Sequence, residues 1–161
     1  MSAPEAPEPI VSIELPRQPW EFVFMDLMGP LPNGETVIVL VDYYSRYFEV
    51  ELTRVTTAEK LVEFLRDTFS RFDIPTSLRT DNGPQFVSRT FEDFLTEQGI
   101  RWLSTTPLWP RANGEVERQN RTLLKALKIA HGKGKSYHSE LRSFLTAYRS
   151  TPHASTGETP F

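Results

Sequence analysis

The sequence predicts an α/β fold: a mixed five-stranded sheet, an antiparallel meander plus two parallel strands, flanked by helices. Three observations carry that reading. Three runs with strand periodicity lie between Phe22 and Leu52, joined by short turns, which makes them a meander. From Thr56 onward the apolar spacing becomes helical, and two more short strands are interleaved with helices, so the order is βββαβαβαα. The 161 residues, 39% hydrophobic and 24% charged, are about the size of one domain with a single core.

Residues 1–19 read as a linker arm, because Pro4, Pro7 and Pro9 alternate with Glu5 and Glu8. Trp20 opens the folded part, which runs to Phe161. Phe22, Phe24 and Asp26 alternate with Val23, Met25 and Leu27, predicting a strand that ends near Asp26 before the Gly29-Pro30 break. Asn33-Gly34 is a strong hairpin signal. It leads into Thr36–Val41, apolar on both faces and so a central strand. After the Asp42–Arg46 turn, Tyr47–Leu52 alternates again, with Phe48, Val50 and Leu52 on one face and Glu49 and Glu51 on the other.

Thr56 and Glu59 form a capping box for the first helix, whose apolar positions are Leu61, Val62, Leu65, Phe69 and Phe72. Ser77–Thr80 is a short strand entering the Asp81-Asn82-Gly83-Pro84 turn. Ser88–Gln98 is helical, with Gly99 as its C-cap. Ile100–Ser104 is the fifth strand. The proline-containing loop Thr105–Asn113 then precedes a long helix over roughly Gly114–His131. Gly132-Lys133-Gly134 breaks that helix, and Ser136–Tyr148 is the last, read as truncated by the end of the chain.

Composition excludes several classes. Zero cysteines rule out disulfide scaffolds, thiol nucleophiles and Cys-containing zinc fingers, and suit a reducing compartment. No apolar run approaches the ~20 residues that span a bilayer, so no membrane role is expected. No signal peptide is read at Met1-Ser2-Ala3-Pro4-Glu5. The net charge of −3 conceals a local excess: residues 101–135 carry 8 basic and 2 acidic side chains, whereas residues 1–70 carry 5 and 12. A phosphate backbone needs a charged face rather than a charged protein. A solvated helix would give the same count.

Three carboxylates occupy similar places: Asp26 and Asp81 at strand ends and Glu117 in the first turn or so of the long helix, where α/β sheets build their sites. If they converge, they repel by about 4 kcal/mol per close pair. Divalent cations remove that repulsion, and all-oxygen ligands favour Mg²⁺, with Mn²⁺ as a substitute. Such a pair of ions suits in-line phosphoryl transfer. Each acid also has a plain structural reading. Asp26 and Asp81 serve as turn residues, and Glu117 serves the helix dipole or pairs with Arg121. Asp42 is better explained as a turn residue near Arg46, and Glu115 points away from Glu117.

The words Phe24-Met25-Asp26-Leu27-Met28-Gly29-Pro30-Leu31-Pro32, Thr80-Asp81-Asn82-Gly83-Pro84-Gln85-Phe86 and Asn113-Gly114-Glu115-Val116-Glu117-Arg118-Gln119-Asn120-Arg121 resemble the catalytic core of retroviral and gypsy-type retrotransposon integrases. The resemblance runs from about Trp20 to Phe161. Where many gypsy-type relatives have His-Pro-Gln, this chain has Trp109-Pro110-Arg111. The resemblance implies a ribonuclease-H-like fold and a triad at Asp26, Asp81 and Glu117. It implies two Mg²⁺ or Mn²⁺ ions, Asp26 bridging both and Asp81 and Glu117 each binding one. It implies a polynucleotidyl transferase that processes 3′ ends and transfers strands. Its partners would be the element's DNA ends and target DNA, with no small-molecule substrate, in a homo-oligomer. The location implied is the nucleus, after cytoplasmic passage. A related transposase or ribonuclease H, and a domesticated non-catalytic DNA-binding scaffold, are the rivals.

The long helix supports DNA handling on its own. At about 100° per residue, with Glu117 at 0°, Arg121 falls near 40°, Leu124 near −20°, Lys128 near 20° and Lys125 near 80°. Val116, Leu123, Leu127 and Ala130 form a separate, buried stripe. The cations thus share the face of the acid. By resemblance, Asn113 corresponds to a position contacting the element's DNA end, and Asn120, Arg121, Lys125 and Lys128 lie along the DNA-facing helix. Trp109 reads equally as a base-stacking residue and as a packed loop anchor.

Overall fold

A computed structural model describes residues 14–150 of the chain. The expected arm over 1–19 is described only from residue 14, and the expected truncation beyond residue 150 lies outside the described residues. Five strands appear in the predicted order: β1 (Phe22–Met28), β2 (Thr36–Asp42), β3 (Phe48–Thr53), β4 (Ser77–Arg79) and β5 (Arg101–Leu103). The helices are α1 (Ala58–Arg71), α2 (Arg89–Gln98), α3 (Pro110–Gly132) and α4 (Tyr137–Ser150). The sheet order is β3-β2-β1-β4-β5. β1, β2 and β3 pair antiparallel, and β4 pairs parallel to both β1 and β5. The mixed meander-plus-parallel sheet expected from the sequence is the sheet observed.

Strand parity divides the core in two. Phe22, Phe24, Val37, Val39, Val41, Phe48 and Leu52 pack on one face against Val116, Leu123 and Leu127 of α3 and Leu141 of α4. Val23, Met25, Ile38, Leu40 and Leu78 pack on the other against Leu61 and Leu65 of α1 and Phe91 and Leu95 of α2. β2 is apolar on both faces because it is paired on both edges and covered on both sides. No helix among the described residues is long and apolar enough to cross a membrane.

Two helix starts differ from the sequence reading. The N-cap of α1 is Thr57, whose hydroxyl accepts from Lys60 N, rather than Thr56. Both threonines can cap, and Thr57, in extended conformation, is the one that does. More important for the site, α3 begins at Pro110 instead of Gly114. Proline at the first helical position loses no hydrogen bond that the helix would have made, so it starts the helix rather than delaying it. The C-cap of α2 is as predicted, with Gly99 at φ 70° and its N–H on the last carbonyls.

Candidate active site

Parity also decides what faces α3. Asp26 follows Phe22 and Phe24 on the α3 side of β1, and it is half-buried there. A cleft of about 390 Å³ lies between this part of the sheet and α3. Asp26, Tyr43 and Arg79 line its sheet wall, and Glu117, Asn120 and Arg121 line the helix wall. Glu117 is exposed and sits seven residues into α3 rather than in the first turn, because the helix starts early. Asp81 follows the end of β4, exposed and outside the cleft lining. Its Oδ1 accepts from Gly83 N at 2.8 Å, which folds the turn back on the acid. Only glycine fits there without displacement, since an added Cβ would stand 3.0 Å from that same oxygen.

Burial is the largest influence on Asp26 and pushes its carboxyl above the usual carboxylate range, and the nearby charge of Asp81 pushes it further. The Leu27 N–H, the Asn120 amide and the Arg79 guanidinium pull the other way. The two aspartates are therefore electrostatic neighbours. Asp26 and Glu117 share one cleft, whereas no group of three His, Cys, Asp or Glu among the described residues is gathered closely enough to hold a metal ion.

The raised Asp26 has a consequence for stability. A carboxyl that binds its proton more tightly when folded costs stability as pH rises from its unfolded value through its folded one. In metal-free buffer, melting curves of the intact protein and Asp26→Asn should agree at acid pH, where both groups are neutral. They should then separate with the variant more stable as pH rises. Parallel curves across the whole range would mean that Asp26 is not strained by its charge.

The other named residues divide clearly. Asp42 is buried and accepts from Trp20 N, Tyr44 N, Ser45 N and Ser45 Oγ, a turn role as predicted. Glu115 turns from the cleft to bind Arg46 at 2.8 Å and Arg111 at 3.3 Å. Trp109 is a packed anchor, buried with its ring 4.8 Å from that of Phe22. Asn113 is committed within the protein: its Oδ1 accepts from the Tyr43 hydroxyl at 2.9 Å, and its Nδ2 donates to Pro107 O at 2.7 Å. Asn120, only 4% exposed, is brought to Asp26, with its Nδ2 3.5 Å from Oδ2 and its own Oδ1 buried without a partner. On the helical wheel it falls near −60°, at the border of the buried stripe, which is why it turns inward. Arg121, Lys125 and Lys128 are exposed and line a second, shallower cleft with Leu124 and Ile129.

Arg79 and Tyr43 are cleft residues that sequence reasoning missed, and Arg79 is the charged one. The available signal was its parity with Asp81, two positions on along the same strand direction.

Comparison with known proteins identifies the family of the chain. The family model described as "Integrase core domain" matches residues 16–110, a span that contains Asp26 and Asp81 and stops before Glu117. An uncharacterized protein of Caenorhabditis elegans is 35% identical over 147 residues, 91% of this chain but 12% of that protein. The Pol polyprotein of Feline endogenous virus ECE1 is 32% identical over 145 residues, 88% of this chain and 14% of the polyprotein. The chain thus spans a small part of these relatives. The catalytic core domain of BIV integrase superposes with a TM-score of 0.72 at 24% identity, covering 88% of this chain and 91% of that one. A chain of the simian T-cell lymphotropic virus intasome, in complex with PP2A regulatory subunit B56 gamma, superposes with a TM-score of 0.74 at 22% identity, over 88% of this chain and 53% of its own. With more than half its length matched by the family model, and a fold shared with integrase catalytic cores, the chain belongs to the integrase core domain family.

Proposed function

We propose that this chain is the metal-dependent polynucleotidyl transferase core of a DNA integration enzyme, acting in the nucleus on element ends and target DNA as part of a homo-oligomer. The observation that carries the reading is the opening of Asp26 and Glu117 onto one cleft, with Asp81 close enough to Asp26 to raise its carboxyl. The donor set fits hard divalent ions: oxygen ligands only, and like charges that a cation would relieve. Asp26, Asp81 and Glu117 would hold Mg²⁺ or Mn²⁺. Mg²⁺ commonly takes only one or two carboxylates and completes its shell with water and substrate phosphate, so a preformed three-acid cage is not required. When bound, the ions would activate the attacking oxygen and stabilise the leaving one.

The chain's own residues supply position and charge. Asn120 Nδ2 stands 3.5 Å from Asp26 Oδ2 on the α3 side, where it would help orient the carboxylate toward the cleft. Arg121 on the helix wall, and Lys125 and Lys128 beyond it, offer a cationic path for the phosphate backbone. Water would attack near the 3′ end, and the freed 3′-hydroxyl would then attack target DNA. Both steps are in-line displacements at phosphorus, so one site serves both, with no covalent protein intermediate.

The test is metal-dependent strand cleavage or reverse integration on branched DNA, with intact chain and Glu117→Gln side by side. Activity in the first and its loss in the second supports the reading. DNA binding without any cleavage would favour a non-catalytic scaffold derived from an integrase. A further expectation concerns the path of the DNA. Arg121→Ala and Lys128→Ala should each reduce the slope of log affinity against log salt by roughly 1, for all sequences alike. Lys60→Ala, at a residue of α1 paired with Glu51 at 2.6 Å, should leave affinity unchanged. Unchanged slopes for both α3 variants would move the DNA off this helix.

A further inference from the structure

Arg79 has no part in the reaction as described, yet it lies in the cleft. Its position follows from register. Arg79 stands opposite Phe24 in the parallel β1–β4 pair, and its neighbour Leu78 is buried on the α1–α2 side. The Arg79 side chain is therefore on the α3 side. Phe24 is two residues before Asp26, and Arg79 is two residues before Asp81, so the guanidinium sits one pleat inward of both acids.

Three features set it apart from a structural arginine. Its guanidinium carbon lies 4.3 Å over the Phe24 ring, which covers one face and fixes the plane. Its Nε is buried with no hydrogen-bond partner. It also forms no ion pair with a carboxylate among the described residues, although it acts through space on Asp26. Arg46, more deeply buried, shows the contrast: it is spent on Glu115 and on the Tyr43 carbonyl. The Arg79 guanidinium donates to the Tyr43 hydroxyl, which leaves its charge unneutralised, so with no carboxylate to pair it the partly desolvated cation attracts an anion. Across the cleft stands Arg121. An anion that passes between two cations and alongside carboxylates is a phosphodiester, and the planar fork matches two of its oxygens.

We propose that Arg79 is a phosphate-binding residue, its immobilised guanidinium gripping the non-bridging oxygens of one DNA phosphodiester at the floor of the cleft and so setting where the strand lies against Asp26 and Glu117. The inference rests on the polynucleotidyl transferase reading. Because Phe24 already orders the side chain, little rotamer freedom is lost on binding, and the contact acts at one place along the strand rather than diffusely.

The experiment is fluorescence anisotropy with branched DNA in which phosphates near the junction are replaced one at a time by neutral methylphosphonates. For the intact chain, one position should cost about tenfold in affinity, the size of one charge-assisted contact. Arg79→Gln should lose about tenfold on unmodified DNA and show no further loss at that position, while keeping the losses at other phosphates. Arg79→Lys keeps the charge without the fork, so its penalty at that position should shrink rather than vanish. It carries the test if melting shows that the glutamine variant does not fold. The same methylphosphonate profile in the variants and the intact chain overturns the proposal, as does undiminished affinity. The two readings separate: strand cleavage with an Arg79-independent profile removes this inference alone, and an Arg79-coupled phosphate without cleavage removes the transferase reading. No DNA binding at all removes both.

Discussion

Asp26→Asn, Asp81→Asn and Glu117→Gln should each lower metal-dependent strand cleavage by on the order of 10³-fold or more, because each removes a carboxylate that would hold the ions, and the ions would offset the negative charge that develops at phosphorus. The fold should survive all three. Asp81 and Glu117 are exposed, and Asp26 is held against its own electrostatic preference, so neutralising it relieves repulsion rather than opening a gap. Melting curves make the separation. In metal-free buffer the variants should match or exceed the intact chain. On adding Mn²⁺ the intact chain should gain stability through linkage, and Asp26→Asn should gain least. A single variant retaining substantial cleavage would break the triad. Equal metal stabilisation of Asp26→Asn would place the ions elsewhere.

Two residues before Glu117, the same side-chain chemistry should behave in the opposite way. Glu115→Ala is expected to cost about 3–5 kcal/mol of folding stability, because it strands the Arg46 guanidinium, which is almost fully buried, without its carboxylate. The loss should spread. The Arg46 carbonyl accepts from Gln119 Nε2 and from the Tyr148 hydroxyl, so α3 and α4 are both tied to this corner. At temperatures where the variant is folded, its cleavage per folded molecule should stay close to that of the intact chain. Urea unfolding and a strand-cleavage assay on the same preparations decide the matter. Lost activity with unchanged stability would make Glu115 a member of the site.

The contrast between Glu115 and Glu117 was legible in the sequence, because 100° per residue separates their directions on any helix that contains both. So was the sheet: Val37–Val41 apolar throughout and Phe48, Val50 and Leu52 alternating could be satisfied only by an interior strand and a half-covered one. The start of α3 was not. Pro110 and Asn113-Gly114 look like breakers one at a time. A proline at the first helical position costs nothing, and the Asn113 amide is satisfied from Tyr43 and Pro107, groups distant in sequence or in the preceding loop. The resemblance places Asn120 on the DNA-facing helix, yet its direction around that helix brings it to Asp26. The one signal for Arg79, its parity with Asp81, was faint because β4 is three residues long.

That brevity has an evolutionary side. A one-residue insertion just before Leu78 would exchange the faces on which Leu78 and Arg79 lie. It would drive the Arg79 charge among Leu61, Phe91 and Leu95 and expel Leu78. Such a lesion destroys the domain before its chemistry is lost, whereas a substitution at Asp81 leaves the domain standing. Copies drifting free of selection for activity but still kept for their shape should therefore accumulate point changes at the acids and preserve the length of this short strand. In a population of decaying relatives, intact spacing around β4 records selection on folding, and the acid itself records selection on catalysis.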